Sequence, residues 1–265
     1  MSVSDQIALQ LPYLRRYARA LTGSQQSGDT YVRATLEAAL ADKALRERIA
    51  SSRAALYAAF TRIWSTGHVE ALSSDTNAAN RHEQAAQARL AAIAPLHRQA
   101  LLLTTVEEFG HADTASILDV PADQVDALIA QAIAEIETET ATSVLIIEDE
   151  PLISMQLENL VSDAGHTVTG TAATHAQAVE LFEREPAGLV LADIQLADGS
   201  SGIDAVEDLL RFGDVPVIFI TAYPERLLTG ERPEPTYLVT KPFKEATVRA
   251  AISQALFFRS SNPLH

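Results

Sequence analysis

Four places in the second half of the chain carry groups that belong together chemically. Glu148, Asp149 and Glu150 form an acidic run at the end of the β-branched stretch 144–147. Asp193 follows the apolar stretch 189–192, Thr221 closes 215–220, and Lys241, with Pro242 behind it, closes 237–240. Carboxylates crowded round one point repel unless a hard cation sits among them, and oxygen donors of this kind suit Mg2+. Such an ion screens and polarises an incoming phosphate, so that an aspartate can attack phosphorus in line. Lys241 can then pair with a phosphate oxygen and Thr221 can donate a hydrogen bond to the same group. Both interactions are stronger with phosphate attached, as a switch requires. Any one of these residues alone is bland, since a lone Asp at a strand end is most often a helix cap. The chemistry exists only if four strand ends, in order, deliver them to one crevice.

The elements able to do that are visible in the pattern. Short apolar stretches at 144–147, 167–171, 189–192, 215–220 and 237–240 alternate with helical patterns at 152–164, 176–184, 202–212 and 244–258. Continuous apolar strands alternating with helices predict a parallel sheet covered on both faces. Five such units make a small doubly wound α/β domain of the flavodoxin-like (βα)5 kind, whose functional groups gather at the carboxyl edge.

These blocks also carry a family resemblance. VLIIEDEP (144–151), LVLADIQLADGSSGID (189–204), PVIFITAY (216–223) and VTKPF (239–243) resemble the signature blocks of response-regulator receiver domains. The resemblance implies that Asp193 is the phosphoacceptor and that Glu148 and Asp149 hold Mg2+ with it. It implies further that Gln195 adds its backbone carbonyl and that Thr221 and Lys241 sense the phosphoryl group. Two positions depart from the pattern. The first acidic residue is Glu148 where Asp is usual, and Leu238 stands where receivers usually have a switch aromatic. Tyr223, in an F-x-T-x-Y block, is the candidate replacement.

The first half reads as all-α. Leu11, Leu14, Tyr17, Ala18 and Leu21 recur at helical spacing until Gly23, and further helices are expected over 28–40, 43–64, 82–92, 95–107, 112–118 and 122–137. The small, polar stretch 65–80 reads as a connecting loop. Leu11 to Leu40 resembles the start of region 2 of extracytoplasmic-function sigma factors, and Leu90 to Ile136 resembles their region 4, a helix-turn-helix. In the last helix Val125, Leu128, Ile129, Ala132, Ile133 and Ile136 form the expected buried stripe. Its outward positions, Asp123, Gln124, Asp126, Ala127, Ala130, Gln131 and Glu135, offer three carboxylates and no cation. A helix that reads DNA needs Lys or Arg for phosphates, so DNA-binding chemistry is missing from a DNA-binding skeleton.

Charge agrees. The 265 residues carry a formal net charge of −15, and no Lys or Arg occurs from Gln99 through Glu183, which favours a basic protein partner over nucleic acid. The chain has no cysteine, which excludes disulfides and thiolate chemistry. It shows no export signal and no membrane-length apolar run, so a cytoplasmic location is expected. The expected organisation is a region 2-like unit over 1–66, a linker over 67–84, a region 4-like unit over 85–137, a linker over 138–142 and a receiver over 143–260. This order, sigma-like then receiver, resembles the PhyR-type regulators of the general stress response. The resemblance implies an anti-anti-sigma factor rather than an enzyme. Its partners would be a NepR-type anti-sigma protein and a histidine kinase or phosphotransfer protein. The alternative is a phosphorylation-gated sigma factor that binds DNA.

Overall fold

The computed structural model describes residues 3–74, 95–137, 140–196, 198–224 and 235–260, which fall into two compact units, Met1–Ala134 with Phe257–His265, and Glu135–Leu256. In the first, α1 (Val3–Thr22), α2 (Gln25–Ala41), α3 (Lys43–Ser51) and α4 (Arg53–Ser74) precede α5 (Leu96–Thr105), α6 (His111–Leu118) and α7 (Gln124–Ile136). Capping side chains set the early boundaries. Ser24 accepts from the Ser27 amide to start α2, and Asp42 accepts from Ala44 and Leu45 to start α3. Gly28 lets α2 cross α1 closely, because a Cβ there would lie 2.7 Å from the backbone nitrogen of Arg19. That approach places Asp29 where it takes Arg19 at 2.8 Å and Arg15 at 3.2 Å. Leu14, Tyr17, Leu21, Leu56, Tyr57 and Phe60 fill the space beneath.

Two expectations in this half are corrected. The helix expected over 43–64 is broken at Ser52, which is extended (φ −160°, ψ 158°) and accepts from the Ala55 amide, capping a new helix. The loop expected over 65–80 is helical as far as Ser74. Ser65 and Thr66 return their hydroxyls to the carbonyls of Thr61 and Arg62 at 2.7 and 2.8 Å, so their polarity is absorbed within the helix. The helix expected over 82–92 lies outside the described residues.

The second unit is a five-stranded parallel sheet in the order β2-β1-β3-β4-β5, with β1 (Ser143–Ile147), β2 (Thr167–Ala172), β3 (Leu189–Ala192), β4 (Val217–Thr221) and β5 (Tyr237–Thr240). Helices α8 (Pro151–Asp163), α9 (His175–Arg184), α10 (Gly202–Leu209) and α11 (Glu245–Ser260) join or follow the strands. All four residues of β3 and the last four of β1 are buried, as a central strand covered on both faces must be. Sequence and structure agree on a flavodoxin-like α/β receiver fold behind an all-α sigma-like region.

Candidate functional site

The register of the sheet assembles the site. Ile147 pairs with Ala192, so Glu148 and Asp193 leave neighbouring strands side by side, and the Asp193 amide donates to the Ile147 carbonyl at 2.8 Å. Thr221 pairs with Thr240, which puts Lys241 one residue beyond it, its amide donating to the Thr221 carbonyl at 2.8 Å. At the topological switch between β1 and β3 this edge opens into a cavity of about 480 Å³. Asp149, Glu150, Asp193, Gln195, Tyr223 and Lys241 are among its lining residues.

Carboxylate oxygens of Glu148, Asp149 and Asp193 lie within 4.8 Å of one another, a spacing and donor type that one hard divalent cation can bridge. Lys241 reaches into the same cluster. Its Nζ lies 2.7 Å from Asp193 Oδ2, 2.7 Å from Glu148 Oε2 and 3.5 Å from Glu150 Oε1. Asp193 also accepts from the amides of Ile194 at 2.5 Å and Gln195 at 3.3 Å, which fixes its carboxylate from below. Burial raises the Glu148 carboxyl above its ordinary value, the pairing with Lys241 only partly opposing it. For Lys241, burial alone would lower the ammonium's pKa, but its hydrogen bonds to Asp193 and Glu148, with their charges, raise it instead.

Of the residues singled out in the sequence, Glu148, Asp149, Asp193 and Lys241 converge, and Gln195 lies on the cavity wall. Thr221 is buried at the strand end, where its Oγ1 accepts from the Tyr223 amide at 3.1 Å. Tyr223 is 45% exposed, whereas Leu238 is buried in the receiver core with Phe219 and Leu196. Glu150, third in the acidic run and given no separate role from sequence, is within ion-pairing distance of Lys241.

In the helical unit Asp123, Gln124, Asp126, Ala127, Ala130 and Gln131 are exposed, as expected for the outward positions, whereas Glu135, expected among them, is half-buried. The buried stripe is narrower than its pattern. Val125, Leu128 and Ala132 are buried, Ile129 and Ile136 are half-buried, and Ile133 is 47% exposed. The apolar positions span more of the helix circumference than the neighbouring helices cover. Among the described residues no helix is long and apolar enough to cross a membrane.

Comparison with known proteins agrees with this architecture. Family models match residues 7–61 (sigma2 domain of PhyR), 90–139 (response regulator PhyR, sigma-like domain) and 144–253 (response regulator receiver domain). The phyllosphere-induced regulator PhyR of Methylorubrum extorquens is 53% identical over 262 residues, covering 98% of this chain and 97% of that protein. The crystal structure of the response regulator PhyR from Brucella abortus matches with a TM-score of 0.84 at 49% identity, over 98% of this chain and 96% of that one. The anti-anti-sigma factor PhyR from Bartonella quintana matches with a TM-score of 0.83 at 48% identity, over 98% and 97% of the two chains. The chain belongs to the PhyR family of response regulators, a helical sigma-like region followed by a five-stranded receiver domain.

Proposed function

We propose that this chain is a phosphorylation-activated anti-anti-sigma factor: phosphorylation of Asp193 frees the sigma-like region to sequester an anti-sigma protein of the NepR type and so release a stress sigma factor. The observation that carries the phosphorylation half is the meeting of Asp193, Glu148 and Lys241 at one sheet edge, at 2.7 Å from a single ammonium. Asp193 attacks the phosphorus of a phosphohistidine on a kinase or phosphotransfer protein. A new Oδ–P bond forms as the P–N bond breaks, and its electron pair leaves with the histidine. Glu148, Asp149, Asp193 and the Gln195 carbonyl are the groups that would hold Mg2+, which supplies charge neutralisation at the transferring phosphoryl group. Lys241 then exchanges Asp193 for a phosphoryl oxygen, and Thr221 supports the same group. Tyr223 is the candidate that carries the change outward. The chain's own chemistry is confined to making and losing this acyl phosphate, in the cytoplasm.

The phosphoryl group adds about 1.5 to 2 negative charges. A full reversal from 1:99 to 99:1 between masked and open forms requires about 5.5 kcal/mol of bias. What favours a protein target over DNA is the exposed face of α7 and the residue before it, which carry Asp126 and Asp123 and no cation. A pull-down with and without acetyl phosphate and Mg2+ tests the reading. The anti-sigma protein is expected only with phosphodonor, and not with Asp193→Ala. Capture by Asp193→Ala on phosphodonor addition would overturn the phosphorylation step, and a low-salt gel shift with promoter DNA would favour the sigma-factor alternative.

A further inference from the structure

Glu107 is a fully enclosed charge of the sigma-like unit, with a side chain 0% exposed. Its partners come from helices 50 to 91 residues earlier in the chain. Arg16 on α1 donates from Nε to Oε1 at 3.0 Å, and its Nη2 reaches the Val106 carbonyl at 3.1 Å. Tyr57 on α4 donates its hydroxyl to Oε2 at 2.8 Å. Arg53 on α4 pairs with the same oxygen and donates from Nη1 to the Glu107 carbonyl at 2.7 Å. Glu108 adopts φ +55°, and this left-handed turn folds Phe109 back onto the Tyr57 ring at 4.9 Å and the Arg53 guanidinium at 4.4 Å. No basic residue lies in the last turn of α5, so guanidiniums from the region 2-like helices cap the end of the region 4-like one.

An apolar plug would hold these helices together as well or better, because burying an ion network costs about as much desolvation as it returns. What the network adds is direction. Charge-assisted hydrogen bonds from α1 and α4 converge on one carboxylate in one geometry, whereas apolar surfaces can slide. We propose that Glu107 is a positioning residue for partner capture. It locks the region 2-like and region 4-like helices at one mutual angle, so that the anti-sigma protein meets a pre-assembled two-part surface. The inference rests on the partner-switch reading above, but the lock itself can be measured without the partner.

The test uses the full chain. It has no cysteine, so Gln26→Cys on α2 and Gln131→Cys on α7, both exposed, give two clean spin labels. Wild type, Glu107→Gln and the apolar triple variant Arg16→Met, Arg53→Met, Glu107→Leu are compared. Glu107→Gln strands two cations and loses stability, so the triple variant, which buries no unpaired charge and is compared under conditions where urea unfolding shows it folded, decides the matter. Its label-to-label distance distribution is expected to broaden, and its capture of the anti-sigma protein after phosphorylation to weaken at least tenfold. A triple variant with a wild-type distance distribution and wild-type capture would overturn the proposal and leave the network a stabilising contact only. If wild type captures no anti-sigma protein, the partner reading fails, and the distance distributions still decide whether Glu107 is the lock.

Discussion

The Lys241 ammonium stands 2.7 Å from Asp193 Oδ2 and 2.7 Å from Glu148 Oε2, so one cation holds two carboxylates that would otherwise repel. Glu148 is fully buried at its side chain, and Lys241 is 9% exposed, which keeps solvent from screening the contact. The switch therefore starts from a partly neutralised site, and phosphorylation must rearrange it.

Replacing Lys241 by Met removes that cation. The ammonium occupies the same carboxylates that would hold the ion, so Lys241→Met is expected to bind Mg2+ more tightly, by about tenfold for every 1.4 kcal/mol of repulsion removed. Titration calorimetry reads this directly. The same variant is expected to take up phosphoryl groups without gaining partner binding, and an unchanged Mg2+ affinity would show that the ammonium does not compete with the ion.

Gly202 opens α10 directly against the site. A Cβ there would lie 1.7 Å from the Asp193 carbonyl oxygen, a backbone atom that cannot step aside. Gly202→Ala is expected to destabilise the receiver by about 3 kcal/mol in urea unfolding and to slow phosphoryl uptake. Gly213→Ala is the control, since its Cβ would meet nothing within 4 Å.

Asp29 gives the sigma-like unit a defined acid limit. Burial alone would raise its carboxyl, but hydrogen bonds from Arg19 and Arg15 and their charges outweigh this and hold it below the ordinary carboxylate value. A depressed folded value means the stabilisation is complete above the unfolded carboxylate value and is lost as pH falls through the folded one. The stability gap between wild type and Asp29→Asn is therefore expected to be constant near neutrality and to close below about pH 4. A gap absent at neutrality, or already closing well above about pH 4, would contradict the ion pair.

Tyr17 and Tyr57 set the alkaline limit. Burial, and next the charge of Glu107, push both phenols well above their ordinary value. The folded chain keeps protons that the unfolded chain releases near pH 10, so this contribution is full below about pH 10 and declines above it. Followed by phenolate absorbance, both are expected to ionise only as the chain unfolds. Tyr17→Phe and Tyr57→Phe should each remove one phenol from that late step.

Much of the receiver was legible in the sequence because its signals are local. The stretches 189–192 and 237–240 are strands with the same bounds in the structure, and the chemical residues follow directly on strand ends. Residue type together with a period of strands and helices was enough to name Asp193, Glu148, Asp149 and Lys241 before any coordinate. The α7 stripe was legible only in part, since the pattern of Ile129, Ile133 and Ile136 shows which side is apolar but not how far neighbours reach across it. The extension of α4 to Ser74 was hidden by residues whose hydroxyls suit a loop until they turn back onto their own helix.

By itself, then, the sequence determined the fold class, the order of the parts and the identities at the acidic sheet edge, because hydrophobic period and strand-end chemistry are properties of neighbours along the chain. Only the tertiary structure decided that one ammonium serves both Glu148 and Asp193, that Gly202 must be glycine, and that Glu107 joins α1, α4 and α5. Those facts depend on groups from separate segments of the chain meeting within about 3 Å. Such meetings follow from strand register and helix crossing, which no local spacing encodes.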